Sequence, residues 1–452
     1  MLDASVRFNR LTRFCITALA AIGSIAGLGA CETIESISKE IRTPRPTNSE
    51  PVTLAGEPDI RVRLHRGVSS ITLDGPQRLI VRASGASRAE VANGPFTVTS
   101  GSNGITLKDP AGRTKAFAYG ADLEILPGGP GGTASQDVDR FVQINKVRYP
   151  GFAVIRPLWS GGGGAFDVIV EMPMESYLPG VLAHELYRDW PRQTFAAQAV
   201  AARTYALHER ERARSENRLY DVESTDSDQV FGGLSTLTVA LDATRETRGQ
   251  VITWNGKFLR AYYSSQCGGR PASASKVWPT GKGYEFNEVA PVQGRQRAHY
   301  CQRGPLYRWE VTRKDDDVAR RMRAWGARYD PELETMTRLR AIRVKSVNDA
   351  QRPNDYVLTD ARGREYTLTA EELRAACNHA VPGLPPITRE NRLSSGDVDV
   401  EVWADQVRFR GRGFGHGVGM CQWCARGMAE QGLAWPQMIE TFFPYAKIEK
   451  AY

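Results

Sequence analysis

The sequence predicts an α+β fold, β-rich over residues 57–170 and mixed, with helices among strands, over residues 171–452. Three observations carry that expectation. Short alternating or β-branched runs punctuated by Gly, Pro, Asp and Asn crowd the first portion: IRVRLHRGVSSITL, LIVRAS, FTVTS, GITL and ADLEIL. Helical segments then begin at YLPGVLAHELYRDW, Tyr177 to Trp190, and continue through the alanine-rich PRQTFAAQAVAARTYALHERERARSE. The 452 residues, 41% hydrophobic and 24% charged, suffice for a sizeable core and two domains, and no repeat of fixed period divides them.

Ahead of the fold, Arg7, Arg10 and Arg13 precede an uncharged run from Phe14 to Ala30 that is short for a spanning helix. Residues 1–30 therefore read as an export signal. Leu28-Gly29-Ala30-Cys31 looks like a bacterial lipobox, which implies cleavage before Cys31 and acylation of its thiol and amine. Two acyl chains hold a protein on a membrane where one does not. The alternatives are an uncleaved anchor, or soluble export with a free Cys31 thiol. Glu32 after the lipid cysteine leans toward the outer membrane in a cell that has two. Residues 31–56, which include RTPRPTNSEP, read as a flexible tether. The formal charge of +8 is spread rather than gathered in a dense basic run. An exported protein of this charge meets anionic envelope polymers, and nucleic acid is not an expected partner.

Within the mixed portion, PGGPGG and GGGG mark loops and Pro191 suits the first turn of a helix. VITWNGKFLRAYYSSQCGG alternates like a strand, RKDDDVARRMRAWG reads as a charged helix, and LRAIRVKSV, YVLTD and ARGREYTL read as strands around a turn. Thr369 and Glu372 have the spacing of a capping box ahead of ELRAACN. VEVWADQVRFRGRG leads as a strand into GRGFGHGVGMCQWCARGMAEQG, where Met420 to Glu430 is a short helix and Trp435-Pro436 opens another. The glycines at 411, 413, 415, 417 and 419 would leave one face of an extended chain bare, open to close approach of a glycan or of the helix bearing Glu185, with His416 at the centre. No phosphate-binding glycine pattern occurs in this run. His184-Glu185 begins like a zinc-protease motif but has Arg188 where the second histidine belongs, and no G-x-S-x-G elbow stands out.

The run ESYLPGVLAHELYRDWPRQTFAAQAVAARTYAL, then SSQCGGRPASASKVW, then GRGFGHGVGMCQWCARGMAEQG resembles, in content and order, the stage II sporulation protein D family. The weaker strand pattern IRVRLHRGVSSITL extends the likeness over most of the mature chain. Cys421 stands where the family often has Ser or Cys, and Cys424 where it usually has Gly. The resemblance implies a domain of that type over 171–452 and a peptidoglycan lytic transglycosylase, cleaving the β-1,4 bond after N-acetylmuramic acid to leave a 1,6-anhydro end. Glu185 matches the family's catalytic acid. Other branches are described as enhancers of a cell-wall amidase, which implies the alternative of a scaffold that binds glycan strands and recruits an amidase without cutting.

The residues themselves support part of this. Glu185 sits among Leu182, Ala183 and Leu186 just ahead of Trp190, an apolar setting that raises a carboxyl pKa toward general-acid duty. One carboxylate suffices where the sugar's own 6-hydroxyl is the nucleophile. Arg203 on an alanine-lined face would be expensive to bury unpaired. It would hold Glu185 or a substrate carboxylate, or else lie on the solvated face beside Glu209 and Arg210. His416 would contact sugar or make a structural hydrogen bond, Gln422 would offer an amide to substrate, and Trp423 would stack on a sugar or join the core. Of seven cysteines, Cys15 lies in the signal and Cys31 would be lipidated, leaving Cys267, Cys301, Cys377, Cys421 and Cys424. Export favours disulfides, among them Cys421 with Cys424, Cys267 or Cys301. Equally, Cys267, His299, Cys301 and Cys421, with the C-x-x-C pair, offer soft ligands for a structural zinc. The resemblance adds to the zinc reading, since some relatives bind zinc near the first of these positions. Catalysis itself requires no cofactor, and Cys377 reads as a small buried residue.

Overall fold

The computed structural model describes residues 50–452 except 76–77, 87–89, 102–103, 119–120, 129–140, 159–163 and 226. The export signal, Cys31, most of the tether and most of both glycine loops lie outside the described residues. Among the described residues no helix is long and apolar enough to cross a membrane. Strands and helices both contribute, with strands crowded before residue 173, as the α+β expectation requires.

Period-2 patterning builds the first portion. Asp59–Val68 and Ser70–Asp74 follow each other directly yet belong to different sheets. The seven-stranded sheet runs Val222–Glu223, Asp59–Val68, Ala165–Pro173, Phe152–Leu158, Leu123–Pro127, Leu79–Ala83 and Glu90–Ala92. The six-stranded sheet runs Val147–Pro150, Phe141–Ile144, Ser70–Asp74, Phe96–Gly101, Gly104–Lys108 and Thr114–Ala118. Alternate residues of both, among them Ile60, Val62, Ile71, Leu73, Val81, Val98 and Ile125, form one buried cluster. Burying one face of each sheet against the other is the ordinary way antiparallel strands leave water.

The central strand Ala165–Pro173 passes straight into helix α1, Met174–Glu185. Helix α2, Arg192–Ser215, starts behind Pro191, which takes the capping position itself, one residue earlier than a first-turn proline would stand. Helix α3, Thr238–Glu246, packs on both α1 and α2. Alanine at 196, 197, 199, 201, 202 and 206 leaves α2 buried along most of its first half.

Arg203, in that alanine-rich stretch, is fully buried, so it is not on a solvated face. Nor does it hold Glu185. Its Nε and Nη2 each donate to Glu175 of α1 at 2.8 Å, and Nη1 donates to the Gln250 carbonyl at 3.1 Å. Tyr452 donates its hydroxyl to the same carboxylate at 2.6 Å. Burial works against the Arg203 charge, and Glu175 more than offsets it, holding the guanidinium above its ordinary pKa. A charge taken out of water survives only with such pairing, so this group ties α1, α2 and the C-terminal strand Lys447–Lys450 region together.

Residues from Trp309 to Gly411 form a block with its own core, interposed in sequence between Cys301 and the glycine stretch. Two three-stranded sheets, Trp309–Lys314 with Gln406–Gly411 and Val398–Trp403, and Leu339–Val347 with Pro353–Asp360 and Glu365–Thr369, enclose Val318, Met322, Trp325, Leu358 and Phe409. The charged helix expected here is Asp315–Tyr329, with three aspartates in its first turn where the helix dipole favours them. The capping box closes as expected: Thr369 accepts from the Glu372 amide at 3.2 Å and Glu372 accepts from the Thr369 amide at 2.8 Å.

Replacing Arg203 by Leu strands Glu175 and should cost about 3–5 kcal/mol in urea unfolding. The Arg203→Leu/Glu175→Leu double variant should lose less than the single one, because no buried charge is then left alone.

Candidate active site

Glu185 is the last residue of α1, which stops there as the Leu186 amide bonds back to the Leu182 carbonyl. Its side chain is only partly exposed. Gln422 donates its side-chain amide to Oε2 at 3.1 Å, the Val230 amide also donates to the carboxylate, and the Tyr263 hydroxyl lies 3.5 Å from Oε1. Behind Tyr263, Gln229 donates to its oxygen at 3.1 Å and to the Ala202 carbonyl at 3.2 Å, while Tyr177 donates to Gln229 at 3.1 Å. The carboxylate is therefore oriented by groups that are themselves held. Loss of hydration is the largest influence on it and raises its pKa; the donors from Gln422, Val230 and Tyr263 pull the other way without cancelling the rise. A carboxyl raised by burial yet aimed by neutral donors is suited to give and retake a proton. Gln422 was legible in the sequence. Tyr263, Gln229, Val230 and Tyr177 were not, because nothing in their local spacing ties them to residue 185.

The glycine stretch does not form the extended strand expected of it. Gly411 ends a strand, but Gly413, Gly415, Gly417 and Gly419 all have positive φ, between 71° and 89°, so the chain winds. What approaches so closely is the protein's own backbone. A Cβ at 413 would lie 2.3 Å from the Gln266 carbonyl oxygen, and one at 419 would lie 2.1 Å from that of Tyr262. This contact lets Tyr263 and Ser264 pair in parallel with Met420 and Cys421, which launches the helix Gln422–Glu430 beside Glu185. His416 takes the structural role: Nδ1 accepts the Val418 amide at 3.1 Å and the ring stands edge-on to Trp278, 4.8 Å between centroids. Burial pushes its pKa down to about 4, so it is neutral at pH 7.

The cysteines gather at the same junction. The sulfurs of Cys267, Cys301, Cys421 and Cys424 all lie within 4.8 Å of one another and are buried. Cys267 Sγ is 3.8 Å from both Cys301 Sγ and Cys424 Sγ, too far for a disulfide, and all five described cysteines are free. Ligands about 2.3 Å from a tetrahedral zinc would stand about 3.8 Å apart, so this donor set fits such an ion. Amides of Cys267 and Cys424 point at Cys421 Sγ, at 3.3 and 3.4 Å, and that of Tyr300 at Cys424 Sγ, at 3.4 Å. His299 is not among these donors. Its Nε2 lies 3.0 Å from the Tyr307 hydroxyl, and Cys424 occupies the fourth corner in its place. Cys421 also caps the Gln422–Glu430 helix, so the cluster and the Glu185 contact share one turn of chain. Cys377 is buried apart from them, and burial pushes its thiol up to about 12.

A sheet-borne helix thus ends in a burial-raised glutamate, and a glycine-wound turn delivers an amide to it. Residues 162–254 match the family model described as Stage II sporulation protein, SpoIID. The chain is 23% identical over 296 residues to the Amidase enhancer of Bacillus subtilis, covering 59% of this chain but only 39% of that protein. It is 22% identical over 301 residues to Stage II sporulation protein D of the same organism, covering 63% of this chain and 76% of that one. An uncharacterized protein of Brachyspira hyodysenteriae is 26% identical over 302 residues, 66% of this chain and 72% of its own.

Two outcomes follow from the Glu185 setting. Gln422→Ala removes a donor that favours the ionised form, so the Glu185 pKa should rise further in an NMR titration. Glu185→Gln should raise the melting temperature at pH 7. A carboxyl whose folded pKa is raised costs nothing below its unfolded value, here 4.5, and destabilises increasingly as pH climbs through the folded value. The gain from Gln should therefore vanish well below pH 4.5.

Proposed function

We propose that this chain acts on the cell wall as a peptidoglycan lytic transglycosylase with Glu185 as its acid and base. The observation that carries the reading is the carboxyl of Glu185, raised by burial and fixed by Gln422, Val230 and Tyr263, within a SpoIID domain. Protonated Glu185 gives its proton to the oxygen of the β-1,4 bond as that bond breaks, freeing a 4-hydroxyl on the N-acetylglucosamine side. The carboxylate then takes the proton of the muramic 6-hydroxyl while its oxygen closes on C1. The product is a 1,6-anhydro end, no water is consumed, and Glu185 is restored to its acid form. The rate should fall as pH rises through the raised pKa, because the proton donor is lost. Gln422 and Tyr263 hold the carboxyl through both steps, while the space beside Gly413 and Gly419 is taken by the protein's own backbone.

A zinc ion held by Cys267, Cys301, Cys421 and Cys424 would be structural. Four thiolates leave such an ion no open position, and what it would supply is a fixed origin for the helix that carries Gln422. In the same reading the chain is exported and anchored through Cys31, and it works on glycan strands at the face of that membrane. The likeness to the Amidase enhancer favours a second reading, a glycan-binding scaffold that stimulates a cell-wall amidase.

Mass spectrometry of products from sacculi, intact and amidase-stripped, separates the two readings. Anhydro-muramyl products from the parent protein and none from Glu185→Gln support the transglycosylase. No products from either, with strand binding kept by both, favours the scaffold. Elemental analysis should find about one zinc per chain, lost in Cys424→Ser and retained in His299→Ala.

A further inference from the structure

Beside Glu185 lies an aromatic group that the proposed chemistry does not use. Tyr187, two residues past the carboxylate, is 59% exposed, while Trp190 is 4% exposed. The Tyr187 ring lies 5.4 Å from that of Trp190 and 6.3 Å from that of Trp423, and Trp190 meets Trp423 edge-on at 5.1 Å. Trp423 is the residue after Gln422, so this group flanks the carboxylate from both of the chain segments that build the site. Arg426 lies over Trp423 and Trp190 at 4.9 and 5.4 Å and is itself held by Glu430 at 2.8 Å. Three rings are thus braced from within and from one side, and Tyr187 remains open to solvent. Its hydroxyl makes no hydrogen bond among the described residues.

An exposed tyrosine on a locked aromatic base has little rotamer freedom left to lose and offers a flat apolar face. The apolar face of a pyranose ring matches that shape, and the ring's hydroxyls stay in water. We infer that Tyr187, supported by Trp190 and Trp423, is a stacking subsite for a pyranose ring of the glycan strand adjoining the bond presented to Glu185. The inference rests on the glycan reading of the site, but it concerns binding and not the proton transfer.

The test uses the Glu185→Gln protein, which cannot turn over, and glycan strands released from peptidoglycan by an amidase, with binding followed by tryptophan fluorescence and by co-sedimentation with sacculi. Adding Tyr187→Ala should weaken binding about tenfold or more, as loss of a rigid aromatic anchor does. Tyr187→Phe should bind like its parent, and the melting temperature should be unchanged because the side chain is exposed. Equal binding by the Tyr187→Ala and parental proteins overturns the subsite, as does an absence of strand binding by the Glu185→Gln parent. The product assay stands apart. If Glu185 proves not to be the acid, Tyr187-dependent strand binding still supports the subsite; if anhydro products form but Tyr187→Ala binds normally, only the subsite falls.

Discussion

Parallel pairing of Tyr263 and Ser264 with Met420 and Cys421 is the contact on which the rest of the site depends. Two short strands from segments more than 150 residues apart can meet only if the intervening turns come within backbone distance. The positive-φ glycines at 413 and 419 permit that, since any Cβ there would strike a carbonyl. From this one contact follow the approach of Tyr263 and Gln422 to Glu185, the gathering of four sulfurs, and the start of the Gln422–Glu430 helix. Arg352 braces the same turn from the interposed block, donating to the Arg270 carbonyl at 3.0 Å and the His416 carbonyl at 3.3 Å.

Two buried charges show how differently one scaffold treats ionisable groups. Arg203 and Glu175 satisfy each other fully and serve cohesion. Glu185 is hydrogen-bonded by the neutral donors Gln422, Val230 and Tyr263, and these with the pull of His184 do not cancel the effect of burial on its charge. Proteins rarely leave such a group in place for stability's sake, and perturbed carboxyls of this kind concentrate at functional sites.

Much of the fold could be read from the sequence because periodicity and punctuation are local. The strand runs before residue 170, the α1 and α2 segments and the Thr369 capping box all rest on near neighbours. Glu185 stands out through the motif resemblance, and Gln422 through its place at the start of the helix after the glycines. The failures share a cause. The sequence offers Arg203 Glu185, a substrate carboxylate or the solvated face but not Glu175, sets His299 among the metal donors, and gives the glycines an extended chain, because each outcome depends on how separate elements pack. Spacing along the chain reports on residues a few positions apart and is silent about a partner on another element, whether 28 positions away, as Glu175 is from Arg203, or 157, as Cys424 is from Cys267.

The interposed block from Trp309 to Gly411 bears on the order of assembly. Glu175 meets Tyr452, Glu185 meets Gln422, and Cys267 meets Cys424, at separations of 277, 237 and 157 residues. Such non-local contacts form late, because the entropy of closing long loops must be overcome before any of them can form. The block has its own core and can draw its two ends together before the junction closes. A growing chain would thus hold Glu185 without the amide that aims it until Gln422, close to its end, had arrived.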